Sequence, residues 1–300
     1  MKNLLSLGVS AFLFMACSDT GSVFEVPLPG SLDSEEPVSS SSIVKKSSAS
    51  KSKEDSESNK GEDKSEYNSS TGILKDLRDG QTYKTVEIGE GENAQIWMAE
   101  NLNYAYKVQT AQLDSSSFCY DNESRNCESY GRMYLWSAAM DSAAVFSNAG
   151  EGCGGVAGVN PSVQNCNISG VFRSVCPKGW HLPTGDEWLQ LIHTVNELKP
   201  DDDAGRYLKS KSGWKLKEGV DYNGEDTFGF NVMPGGRGHA GYLGRGEMEF
   251  LKMGEICFFW NADKYDEGSP GATGFYNSTH YNYLVGQMPV DYHYIRCLKD

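Results

Sequence analysis

The sequence predicts an α+β domain. Runs of period two outnumber helical ones, and Gly/Asn/Asp turn signals interrupt them often. Two segments carry a helical apolar stripe, but they do not alternate with the strands in βαβ order. The net charge of −14 over 300 residues lacks the basic footprint that a nucleic-acid partner requires, so nucleic acid is not expected.

Residues 1–16 read as an export signal: Lys2 precedes an apolar stretch from Leu4 to Met15, too short to span a bilayer as a mature helix. Ala16 and Cys17 resemble a bacterial lipobox, so Cys17 is the expected lipidation site and the membrane the expected partner through it. Several acyl chains at about 0.8 kcal/mol per buried CH₂ anchor stably. Residues 17–70 are expected to form a disordered tether. Seventeen of the 53 residues after Cys17 are serine, and only Phe24 and Tyr67 are aromatic, too few to offset the entropy of ordering. Such a chain reaches roughly 40 Å root-mean-square.

From Thr71 the composition changes. Residues 71–300 hold all six tryptophans, with 20 basic against 30 acidic side chains. Tyr83–Ile88 and Ala94–Ala99 flank a Gly/Glu/Asn turn and read as a hairpin. A first helix is expected from about Tyr134 to Val145, where Trp136, Ala139, Met140 and Ala143 share a side. The clearer helix is Gly185–Leu198. Thr184 and Glu187 form a capping box, and Trp188, Leu191, Ile192, Val195 and Leu198 make one apolar face with His193 on the polar side. Phe228, Phe230 and Val232 alternate. Ile256–Trp260, Tyr281–Val285 and Tyr292–Leu298 are further strand candidates.

Export places the seven cysteines after Cys17 in an oxidising compartment, where they read as a disulfide framework with one left over. Cys119 and Cys127 bracket a polar loop, Cys153 and Cys166 flank a Gly/Asn-rich segment, and Cys176 and Cys297 stand before the capped helix and in the last strand. Six cysteines allow fifteen connectivities. Joining Cys176 to Cys297, the expected link, closes about 122 residues, on the order of 5 kcal/mol by chain entropy. Cys257, inside an apolar run, is expected to be a buried inert thiol.

Asp201-Asp202-Asp203 and Asp221–Asp226 offer oxygens that calcium accepts, but neither matches a helix-loop-helix register, and both read as solvated turns. No zinc spacing, nucleophile elbow, phosphate loop or dinucleotide fingerprint occurs. Neither cofactor nor metal is expected, and His181 reads as a packed, hydrogen-bonded residue.

Several segments together resemble one family. They are Ile96-Trp97-Met98-Ala99-Glu100-Asn101-Leu102-Asn103-Tyr104, Tyr130-Gly131-Arg132-Met133-Tyr134-Leu135-Trp136, the stretch Val175–Thr184, Phe228-Gly229-Phe230, and the closing Arg296-Cys297-Leu298-Lys299-Asp300. In that order they resemble the Fibrobacter succinogenes major paralogous domain, found on exported and lipid-anchored bacterial proteins. Phe259-Trp260-Asn261-Ala262 departs from it, where the family usually has tryptophan followed by serines and a threonine. Leu182-Pro183-Thr184-x-x-Glu187-Trp188 is similar, more distantly, to a helix-opening motif of the formylglycine-generating family. That similarity implies a C-type-lectin-like fold: a mixed, strongly twisted sheet with two helices and long loops. It does not carry the activity, which uses a close pair of cysteines for copper.

The expected function is a lipid-anchored envelope protein, at the outer membrane or cell surface. Its domain, 71–300, is expected to be a non-catalytic binding module for polysaccharide or a surface protein. An enzyme of the formylglycine-generating type and a purely structural envelope protein are the alternatives. With Cys297 inward, the period of two turns Ile295 and His293 inward and Tyr292, Tyr294 and Arg296 outward. Tyr281 and Tyr283 share a face on the preceding strand. These four tyrosines are the expected ligand face, since flat rings stack on sugar C–H faces.

Overall fold

The Thr82–Ile88 strand (β3) and the Gln95–Met98 strand (β4) form the expected antiparallel hairpin, with Val86 opposite Trp97 and Ile88 opposite Gln95. Gly89 turns it at φ +99°; a Cβ there would meet the Asn93 carbonyl oxygen at 2.5 Å, so the turn requires glycine. The computed structural model describes residues 63–108, 116–154, 166, 168, 170–171, 173–199, 203–241 and 248–300. The expected export signal and Cys17 lie outside them, as does the tether up to residue 62.

The tether's last residues are a correction. Ser65–Asn68 is a strand (β1), paired antiparallel with Ile73–Asp76 (β2). Its one aromatic, Tyr67, packs edge-on against Trp180 at 5.6 Å. One ring and a backbone ladder suffice here, which a composition averaged over 53 residues conceals. β2 pairs with β3, and beyond β4 lie Leu298–Lys299 (β14) and Trp180–His181 (β7). The segment last in sequence is thus inserted between β4 and β7.

A five-stranded sheet runs Ser117–Phe118 (β5), Met133–Leu135 (β6), Asp291–His293 (β13), Arg237–His239 (β8), Glu249–Leu251 (β9). A three-stranded sheet holds Ile256–Lys264 (β10), Pro270–Tyr276 (β11) and Tyr283–Gly286 (β12). Among the described residues all strand pairs are antiparallel, while isolated parallel bridges join Lys209 to Val232, Gly236 to Cys257 and Phe259 to Tyr294. The architecture is mixed α+β with few helices.

Among the described residues the α-helices are Ser124–Tyr130 (α1), Trp136–Ala139 (α2), Gly185–Leu198 (α3) and Ala204–Leu208 (α4). α3 keeps its expected bounds and its complete capping box. Its Trp188 is fully buried between Trp97 at 4.6 Å and Phe259, stacked at 5.3 Å. Leu198, expected on that face, is 48% exposed, because the core ends before the last turn. The expected helix from Tyr134 to Val145 shrinks to one turn. Asp141 adopts φ +57°, and its buried carboxylate accepts the N–H groups of Val145, Phe146 and Ser147 and the Tyr106 hydroxyl. Those bonds stabilise a turn where helix would need carbonyl acceptors.

Three disulfides join Cys119 to Cys127, Cys153 to Cys166 and Cys176 to Cys297. Cys257 is free and buried, and burial pushes its thiol up to about 12. Beside Cys176, the buried Arg78 pairs with Asp76 at 2.6 Å, donates to the Val175 carbonyl and lies over the rings of Tyr104 and Phe146.

Candidate functional site

Arg296 stands one residue before the disulfide-bonded Cys297, in the otherwise apolar run Tyr294–Leu298, and is 2% exposed. Its outward expectation is a correction: it turns into the interior, where it meets the 98–101 and 230–231 segments. Nε donates to Asn101 Oδ1 at 2.6 Å, Nη1 to the carbonyls of Met98 and Phe230, and Nη2 to the Asn231 carbonyl at 3.1 Å. Its Cζ lies 4.8 Å from the Phe230 ring centre. Among the described residues no carboxylate bonds to it directly; burial pulls the guanidinium down to about 10.

The backbone around it is pinned by its own ladder. Met98 N donates to the Cys297 carbonyl, Leu102 N to Ile295, and Arg132 N to Leu102. Asn101 Nδ2 donates to the Tyr130 carbonyl at 2.7 Å, so one amide links α1 to Arg296. Gly131 follows at φ +76°, where a Cβ would lie 2.7 Å from that of Asn101. A larger residue would push the two segments apart.

Between these segments opens a cavity of about 190 Å³. Arg296 and Asn101 form part of its wall, with Glu100, Asn103, Glu128 and the half-buried Tyr130 around them. Glu100 accepts from the Lys84 backbone N–H at 2.8 Å. Asn103 is held by its own N–H on the Tyr83 hydroxyl, and among the described residues its buried Oδ1 makes no hydrogen bond. An unpaired buried amide oxygen costs about 1–3 kcal/mol.

A second depression, about 540 Å³, is lined by Gln95, His181, Glu187, Gln190, Lys299 and Asp300 among others. His181 sits between two carboxylates, Nδ1 at 2.8 Å from Asp300 Oδ1 and Nε2 at 3.0 Å from Glu187 Oε1. Burial opposes its charged form, but the two hydrogen bonds outweigh burial and hold the imidazole pKa up. Burial likewise opposes ionised Glu187, whose pKa is nonetheless held down by His181 and the Thr184 N–H. These groups satisfy one another. They tie α3 to β7 and the 298–300 segment rather than face outward unpaired.

The expected tyrosine face does not assemble. Tyr292 and Tyr294 are fully buried, because β13 lies between β6 and β8 and the chain after it crosses β10, with the core on both sides. Tyr292 packs edge-on on Phe118 at 5.1 Å, and the Tyr294 hydroxyl donates to the Gly235 carbonyl at 2.8 Å. Tyr281 and Tyr283 are 60% and 45% exposed, but β12 pairs with β11 and not with β13. Tyr283 meets Tyr276 edge-on at 5.7 Å. Lys209, buried, holds the loop before them through the carbonyls of Tyr276 and Thr279, and burial pulls its amine down to about 8.

Of the acidic stretches, Asp201 and Asp202 lie outside the described residues. Asp221 accepts from the N–H and amide of Asn223, and Asp226 from the Asn231 N–H. Among the described residues no three His, Cys, Asp or Glu side chains gather to hold a metal ion.

The Arg296 cavity escaped the sequence reasoning, although a signal existed. Glu100, Asn101, Asn103, Tyr130, Gly131 and Arg296 all belong to segments that carry the family resemblance. An arginine inside an apolar run should have been read as a buried, fully bonded cation. The model of one family, described as the Fibrobacter succinogenes major domain, matches residues 86–299. No curated protein and no solved structure matches the chain.

Proposed function

The chain belongs to the Fibrobacter succinogenes major domain family, and on that premise we propose that it is a lipid-anchored envelope protein whose domain binds saccharide without turning it over. The observation that carries this reading is the cavity beside Arg296, where three separated family segments meet around polar side chains and a half-buried tyrosine. Amides and carboxylates suit sugar hydroxyls, and the Tyr130 ring suits a sugar's C–H face.

Three disulfides support an extracytoplasmic location, since such links persist only in oxidising compartments. Cys17 directly after an apolar run supports the anchor, and Ser18 behind it favours the outer membrane or cell surface. A C-type-lectin-like fold is supported by β14 closing between β4 and β7, by the capped α3 packed on the core, and by long irregular stretches between elements.

The non-catalytic reading rests on the thiols. A formylglycine-generating chemistry would call on a close cysteine pair, yet Cys297 is bonded to Cys176 and Cys257 is buried with its thiol held protonated. The test is affinity electrophoresis of the full chain, oxidised, in gels containing neutral plant-wall polysaccharides, with product analysis of the same mixtures. Retardation without released products is the expected result. Released products would favour an enzyme, and no retardation in any gel a structural envelope role.

A further inference from the structure

We infer that the cavity beside Arg296 takes a single neutral sugar unit, recognised through its hydroxyl donors, and rejects uronic acids. This rests on the saccharide reading above and narrows its ligand.

The hydrogen-bonding sense of the walls decides first. Asn103 stands in the wall, and among the described residues its Oδ1 makes no hydrogen bond. Glu100 and the exposed Glu128 add carboxylates, which when ionised only accept. These acceptors need donors from the ligand. A sugar ring brings several hydroxyl donors, whereas a carboxylate brings more acceptors and a like charge.

The cation does not reverse that preference. Of the five N–H groups of a guanidinium, Arg296 commits four: to Asn101 Oδ1 and to the carbonyls of Met98, Phe230 and Asn231. A two-pronged clamp on a carboxylate needs two parallel N–H groups free. The acidic excess of the domain, 30 against 20 over residues 71–300, further repels polyanions.

Size decides the rest. About 190 Å³ falls below the roughly 300–1,000 Å³ of pockets for drug-sized ligands, so the cavity holds one ring and not a run of them. Tyr130, half-buried in the wall, supplies the flat face.

The experiment is calorimetric titration of the full chain, oxidised, with the methyl glycosides of glucose, xylose, mannose and galactose, and with the methyl glycoside of galacturonic acid. At least one neutral glycoside should bind saturably, with affinity changing less than about threefold between 0.05 and 0.5 M salt. Asn103→Ala should weaken it at least tenfold. Tyr281→Ala, at an exposed position outside the cavity wall, should leave neutral binding within threefold. Tighter binding of the galacturonic acid glycoside, lost in Asn103→Ala, would overturn the inference while leaving a saccharide site. Failure of every neutral and acidic saccharide to bind would overturn both.

Discussion

Arg296 Nε donates to Asn101 Oδ1 at 2.6 Å, across 195 positions of sequence, in the wall of the cavity. The same Asn101 amide donates to the Tyr130 carbonyl. One side chain therefore holds together the turn after β4, the end of α1 and the approach to β14. Asn101→Ala should destabilise the domain by about 2–4 kcal/mol, because it strips an acceptor from a buried cation and a donor from a buried carbonyl. Urea unfolding of the oxidised chain measures this. A change under about 0.5 kcal/mol would show that Arg296 does not depend on Asn101.

The Cys176–Cys297 link closes a far longer loop than Cys119–Cys127, with separations of 121 and 8. Chain entropy puts the two at about 5 and about 2.5 kcal/mol, as upper values. The double variant Cys176→Ser/Cys297→Ser should lose about 2–5 kcal/mol, more than Cys119→Ser/Cys127→Ser. Equal losses in denaturant melts would refute the ranking.

His181 and Glu187 predict a stability window in pH. The His181 pKa is raised in the fold from 6.5, so its contribution is full below 6.5 and is lost as pH rises through the folded value. The Glu187 pKa is lowered from 4.5, so its contribution is full above 4.5 and is lost as pH falls through the folded value. Both contributions are complete together between about pH 4.5 and 6.5. The stability difference between the native chain and His181→Gln should be larger at pH 5.5 than at pH 8.5. A pH-independent difference would mean that the imidazole stays neutral between its carboxylates.

Much of this was legible locally. Thr184, Glu187 and the spacing from Trp188 to Val195 mark α3 because cap and stripe are both short-range signals. The β3–β4 hairpin is equally local. Tyr292 and Tyr294 were misread because the period-two argument assumes a strand with one wet face, whereas β13 has sheet neighbours on both sides and core on both faces. The shortened α2 depends on Asp141 reaching three backbone N–H groups, a choice that helical periodicity does not register. The cavity was least legible, since Asn101, Tyr130 and Arg296 meet only through tertiary folding.

Cys17→Ser should release the protein from membranes into the soluble fraction of the native host. Mass spectrometry of the native protein should find acyl chains on Cys17. An unmodified, soluble mature chain would end the anchor reading and leave the domain's binding untouched.

The location of the ligand is the central claim, and hydrogen–deuterium exchange of the oxidised full chain tests it most directly. The chain would be compared free and saturated with whichever neutral glycoside binds in the titration. Protection should concentrate in residues 81–83, 99–103 and 127–131, the segments that wall the cavity beside Arg296. Protection confined to 276–286, around Tyr276 and the exposed Tyr281 and Tyr283, with those three segments unchanged, would contradict it.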